Sequence, residues 1–210
     1  MKQHTQTLRQ LIIELFTEDQ QKRIQMLVDS ELPNIEAVIS FDDSLEGPSI
    51  SRINCQNLGR YKTKDRYIFR PLQYCGMHFM HTQRSNDAKW HTRDFLEMSS
   101  LHIEALIKNI GGFLNLPLGM ALHKAIVKAK VDLVTWKQIE TYTHVYNDAK
   151  HNFSHKKDTH MFSVEDALLA YFVCRKLAVK LYPLAKLATN MKIFDIECDE
   201  TEIAQLTASQ

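Results

Sequence analysis

Beyond Trp90 the apolar positions keep a helical period almost unbroken to Tyr182. Residues 92 to 110 carry a seam of Leu96, Ser99, Ser100, Ile103, Leu106, Ile107 and Ile110, whose two serines let a neighbouring helix come close. Gly111 and Gly112 end that helix. The next runs from about Pro117, a favoured first-turn residue, to Lys130 through Ala121, Leu122, Ala125, Ile126 and Ala129. Another begins near Thr135 and passes through Ile139, Tyr142, Tyr146 and Ala149. The last starts at Ser163, where the Ser-x-x-Asp spacing resembles a capping box, and ends near Tyr182, before Pro183. Helices with such short connections predict an antiparallel four-helix bundle over residues 90–190.

Upstream the pattern changes twice. Leu8, Leu11, Ile12 and Leu15, then Ile24, Leu27 and Val28, lie at helical spacing, and Thr17 before Glu18, Asp19 and Gln20 predicts the cap of a second helix. From Glu31 to about Lys89 the chain is punctuated by Pro33, Gly47, Pro48, Gly59, Pro71 and Gly76. The runs "AVISF" and "RYIFR" alternate there as strands do. The expected fold is therefore mainly α. A helical and irregular extension with a small β element (1–89) precedes the bundle (90–190), and an acidic tail (191–210) follows it.

Composition narrows the function classes. With 210 residues, 44% hydrophobic and 24% charged, the chain suits a soluble domain with a sizeable core. Its net charge of +1 supplies no global attraction to nucleic acid, so any such binding must come from a local patch. Cys55, Cys75, Cys174 and Cys198 are widely separated and form no C-x-x-C pair, which argues for a reducing compartment. The first apolar stretch is interrupted by Glu14, and no apolar run approaches the ~20 residues that span a bilayer. A cytoplasmic protein without membrane, cofactor or metal is expected.

Candidate chemistry concentrates in "VYNDAKHNFSH". Continuing the helix past residue 149 puts His144, Asp148, His151 and His155 on one face at i, i+4, i+7 and i+11, with Asn147 adjacent. Imidazoles that titrate near neutral pH suit acid–base catalysis on a phosphodiester. Alternatively, His144, Asp148 and His151 could grip a divalent metal in a hydrolase, or the stripe could be a solvated helix face. Lys150, Lys156 and Lys157 flank it with charge that favours a phosphate-bearing partner.

Two further stretches carry candidate sites. Cys75, His78, His81 and His91 offer zinc-like ligands, but no second pair completes a finger, and Met77, Phe79 and Met80 favour core packing. Between Arg52 and Arg70 lie Arg60, Lys62, Lys64 and Arg66, with Tyr61, Tyr67 and Phe69 interleaved and Asp65 the sole acid. On a pair of strands this would make a platform for single-stranded nucleic acid, cations on phosphates and rings on bases; a charged edge strand is the plain alternative.

A C-terminal helical bundle with Asn147 and His151 in an Asn-x-x-x-His sequence resembles the HEPN superfamily (higher eukaryotes and prokaryotes nucleotide-binding domains). Many members are metal-independent ribonucleases of toxin–antitoxin, CRISPR and phage-defence systems. Their signature sets an arginine before the polar residue, and here that position holds Tyr146. The resemblance implies an RNA- or nucleotide-directed protein with Asn147 and His151 in its site and Lys150 or His155 assisting. It also implies support from polar residues of another helix, for which Glu104 and Lys108 are candidates, an ordinary i,i+4 ion pair being the plainer reading of their spacing. A homodimer, or a partner such as an antitoxin, would fit this class. The alternative from another class is a non-catalytic module for dimerisation or partner binding.

Overall fold

The computed structural model describes residues 3–30, 34–53, 62–84, 88–129, 132–151 and 162–194, without the side chains of 80–84, 88–91, 151 and 193. These residues form α1 (Gln3–Leu15), α2 (Glu18–Val28), α3 (Ile35–Asp43), α4 (Arg66–Arg84), α5 (Ala88–Gly111), α6 (Leu118–Ala129), α7 (Leu133–His151) and α8 (Val164–Leu181). The fold is mainly α, and no strand occurs among the described residues.

Local chemistry sets the boundaries. Thr17 and Gln20 form a reciprocal capping box at α2, and Ser163 and Asp166 form another at α8. At the end of α5, Gly112 takes a φ of 71°, which a side chain would resist. Phe113 N–H then reaches Lys108 C=O at 3.0 Å and Gly112 N–H reaches Asn109 C=O at 3.1 Å, the paired bonds of a Schellman motif.

The expected β element is not there: "AVISF" lies within α3 and "RYIFR" opens α4. Asn34 accepts from the N–H groups of Glu36 and Ala37, which starts α3 as a helix. In α4 the buried Ile68, Phe69, Leu72, Cys75 and Phe79 lie on one helical stripe that outweighs the short alternation. Pro71 and Gly76 are accommodated inside it. Gly76 is a point of close approach, because a Cβ there would sit 2.6 Å from Ile50 Cγ2.

α8 is the central helix. From Asp166 to Leu181 nearly every residue is buried, with Lys176, Val179 and Lys180 the exceptions. α5 runs beside it in the same direction, Phe95 against Tyr171 and Ser99 C=O accepting from Cys174 Sγ. α4 returns antiparallel along α5, pairing Tyr67 with Asn109 and Cys75 with Phe95. α1 lies along α8 from Thr5–Asp166 to Phe16–Lys176. One core joins buried residues from Leu8 to Phe194, so α1–α4 bury their apolar faces with those of α5–α8.

Buried polar ties lock distant segments to this core. Arg175 and Asp42, both fully buried, pair at 2.7 Å, and Tyr171 donates to the same carboxylate. His102 Nδ1 must donate to Ile68 C=O, which only accepts; Nε2 therefore accepts from the Tyr182 hydroxyl. Asp65 accepts from Ala188 N–H, Thr189 N–H and the Thr189 hydroxyl.

Candidate functional site

α7 is started by Asp132, whose carboxylate accepts from Thr135 N–H at 2.8 Å. Its buried seam is Ile139, Tyr142, Val145, Tyr146 and Ala149. His144 and Asp148 are exposed on the opposite side, as their spacing predicts, and Asn147 is half-buried at the margin. His151 is the last residue of the helix, and its side chain, like all of His155, lies outside the described residues. Among the described residues, no group of three or more His, Cys, Asp or Glu side chains is arranged to hold a metal ion.

The seam with α5 holds a charged cluster. Glu104 is largely buried and bonds Lys108 at 2.7 Å on its own helix. From α7, the Tyr146 hydroxyl donates to Glu104 Oε2 at 3.0 Å and Lys150 Nζ approaches the same oxygen at 3.8 Å. Lys150 also stands 5.3 Å from the centre of the Tyr146 ring, a cation–π contact. At the end of α7, Arg93 Nη2 donates to Ala149 C=O at 2.6 Å while its Nε bonds Glu97 at 2.8 Å.

The electrostatics follow from this crowding. Burial opposes ionisation of Glu104, but hydrogen bonds from Lys108 and Tyr146 and the charges of Lys108 and Lys150 hold its carboxyl below the usual range. Burial, then the Glu104 charge, push the Tyr146 phenol far up, so it stays a neutral donor. One carboxylate thus faces two ammonium groups, and the surplus positive charge sits on half-exposed Lys150. Such a group can bind an anion.

Glu104 and Lys108 do form the i,i+4 pair their spacing implies, and the structure adds Tyr146 and Lys150 to it. Sequence reasoning missed Arg93 and Glu97; their own i,i+4 spacing was the available signal.

The basic segment has a different shape from the expected platform. Lys62, Lys64, Arg66 and Tyr67 are exposed on the Thr63–Asp65 3-10 turn and the first turn of α4, not on strands. Phe69 is in the core, and Arg52 bonds Asp43 C=O and Gly47 C=O. Arg60 and Tyr61 lie outside the described residues. In the Cys75–His81 stretch, Cys75 is buried and donates to Phe95 C=O, and burial pushes its thiol up. His78 faces Asp94 at 3.8 Å.

Compared with known protein families, curated proteins and solved structures, the chain matches none. No helix among the described residues is long and apolar enough to cross a membrane.

Proposed function

We propose that the chain is an RNA-directed protein of the HEPN-like kind, a metal-independent ribonuclease whose site lies where the end of α7 meets α5. The observation that carries this reading is the placement of Lys150. It is braced on the Tyr146 ring and Glu104, between Asn147 and His151 on the last turns of α7. In place of the motif's arginine this chain offers, one helical turn further along α7, a lysine positioned by its neighbours, a point charge rather than a bidentate fork.

On this reading Lys150 and Asn147 hold the phosphate, and His151 is the general acid–base, with His155 assisting. The RNA 2′-hydroxyl loses its proton as its oxygen bonds phosphorus, and the bond to the 5′-oxygen breaks as that oxygen gains a proton. A 2′,3′-cyclic phosphate results. A cytoplasmic defence or toxin–antitoxin setting, with an antitoxin-like protein as partner, belongs to the same proposal.

The test is incubation of labelled single-stranded RNA with the purified chain in excess chelator. Cleavage leaving cyclic phosphate ends is expected, slowed about 10²–10⁴-fold in His151→Ala and less in His155→Ala. Intact RNA after prolonged incubation ends the reading.

One observation favours a second reading, a non-catalytic module that pairs with another copy of itself. A groove of about 700 Å³ lies between α1 and α7, lined by Gln6, Gln10, Glu14, Leu133, Val134 and Gln138. Leu133 and Val134 are 82% and 66% exposed on its rim. A dimer by light scattering that Leu133→Asp dissociates would support it; a monomer at all concentrations would exclude it.

A further inference from the structure

We infer that the face made by the Thr63–Asp65 turn and the outer side of α4 binds single-stranded nucleic acid, cations gripping phosphates and Tyr67 and Tyr74 stacking bases. The inference rests on the preceding reading only for RNA as the natural strand. The binding itself is argued from this face.

Charge comes first. From Lys62 to Arg84 the only acidic residue is Asp65. It is 2% exposed and turned inward onto Ala188 and Thr189, so it faces away from the basic side chains around it. Lys62, Lys64 and Arg66 remain at the surface, with Arg70 one turn on. The same tie brings in a distant segment. Lys62 N–H donates to the Thr189 hydroxyl, and Lys186 N–H donates to Asn109 Oδ1, whose amide in turn donates to the Tyr67 hydroxyl. The backbone at Lys186 therefore lies at the edge of the face, brought from far along the chain.

Aromatic placement comes next. Tyr67 and Tyr74 are 43% and 40% exposed, with Met77, also exposed, one turn beyond. Seven residues apart on a helix, the two rings stand about 10 Å apart along its axis. Arg70 lies between them, its guanidinium 5.8 Å from the Tyr74 ring. Tyr67 is fixed by the Asn109 bond at 2.8 Å, so its ring is held before any ligand arrives. Exposed rings among lysines and arginines suit unpaired bases, whose faces a duplex would hide.

An anionic membrane surface would also attract the charge, but it would need an apolar helix face to bury. α4 has spent that face: Ile68, Phe69, Leu72, Cys75 and Phe79 are all in the core.

The experiment is fluorescence anisotropy of the whole chain with a short labelled oligo-uridine strand, its duplex, and phosphatidylserine vesicles, across a salt series. The wild type should bind the single strand in preference to the duplex and the vesicles. Lys62→Gln/Lys64→Gln/Arg66→Gln should weaken binding at least tenfold and flatten the log–log salt slope by about 0.7 for each cation removed. Tyr74→Ala should weaken it by about tenfold at every salt concentration, because stacking does not release counterions. All these side chains are exposed, so an unchanged melting curve confirms intact variants. An unchanged slope in the triple variant, equal duplex affinity, or a preference for vesicles overturns the proposal. So does loss of binding in His151→Ala with the face variants unaffected, which would move the site to α7. Cleavage is read separately on a gel, so a strand that is bound but intact removes the ribonuclease and leaves this face standing.

Discussion

The Tyr146 hydroxyl donates to Glu104 across the α5–α7 seam at 3.0 Å, so the position where the proposed resemblance would set an arginine is occupied by a neutral donor committed to the neighbouring helix. Removing that hydroxyl tests the tie with little change of shape. Tyr146→Phe should cost about 1–2 kcal/mol, because a largely buried carboxylate loses a donor while Lys108 keeps its own bond. Urea denaturation would show it as a lower midpoint at unchanged slope. An unchanged midpoint would mean water replaces the phenol freely.

Stability should fall as pH drops from about 6.5 to about 4, and His102 should be a main cause. Burial outweighs its bond to Ile68 C=O and lowers its pKa to about 4. The unfolded chain, with an ordinary imidazole, therefore binds the proton first and is favoured as pH falls through this window. The shift amounts to about 3 kcal/mol when complete. His102→Gln should start less stable but lose less between pH 6.5 and 4.5; equal slopes in both proteins would discard this assignment.

A second acid window lies lower. Asp166 is buried, which opposes ionisation, but bonds from His4, Ser163 N–H, Thr5 and the Ser163 hydroxyl bring its pKa to about 2. A carboxyl depressed in the folded state stabilises above the unfolded value of about 4, and that contribution disappears as pH falls to about 2. It is worth about 2 kcal/mol near neutrality. In Asp166→Asn the loss between pH 4 and 2 should shrink by that amount. Because Asp166 joins the α8 cap to His4 and Thr5, the variant should also fray the start of α1, seen as faster amide exchange there.

Asp42→Asn should destabilise the fold more than any of the preceding changes. It leaves the Arg175 guanidinium, 1% exposed, without its anion, and Arg175 Nη1 already has no hydrogen-bond partner among the described residues. The expected cost is about 3–5 kcal/mol. Replacing both partners, Asp42→Leu with Arg175→Met, should cost less than the two single changes summed, which a double-mutant cycle would measure.

What can be read from the sequence is what is local. The capping boxes at Thr17 and Ser163, the double-glycine stop and the seam from Leu96 to Ile110 each depend on neighbours within a turn or two. All stand where the pattern puts them. α4 is misread because Pro71, Gly76 and a five-residue alternation outweigh a longer helical stripe from Ile68 to Phe79. The buried charges are less legible still. Asp42 meets Arg175, and Asp65 meets Thr189, across more than 120 residues, and pattern reading puts such side chains in water. The one hint is Arg175 itself, set inside the apolar run "ALLAYFVCRKLAV". For the candidate site, spacing groups His144 and Asp148 but cannot tell that Lys150 and Tyr146 turn toward Glu104.

That geometry also changes what restoring the motif should do. The motif alone suggests that Tyr146→Arg returns a phosphate-binding cation and raises cleavage. Residue 146 is 3% exposed, however, and its polar end already meets Glu104. A guanidinium there would pair with that carboxylate, whose geometry it matches in a bidentate fork, and would offer little to RNA. Tyr146→Arg alone should therefore not raise cleavage, and losing the ring that braces Lys150 should lower it. Adding Glu104→Gln releases the guanidinium, and the double variant should cleave about tenfold faster than Tyr146→Arg alone, a gain of about 1.4 kcal/mol in transition-state stabilisation. It should also melt lower, because the introduced guanidinium would then stand beside Lys108 and Lys150 without a counter-charge. Faster cleavage with lower stability is the expected pairing. If the double variant is destabilised but no faster, Lys150 and its neighbours are a structural cluster, and the α7 end is not where RNA is cut.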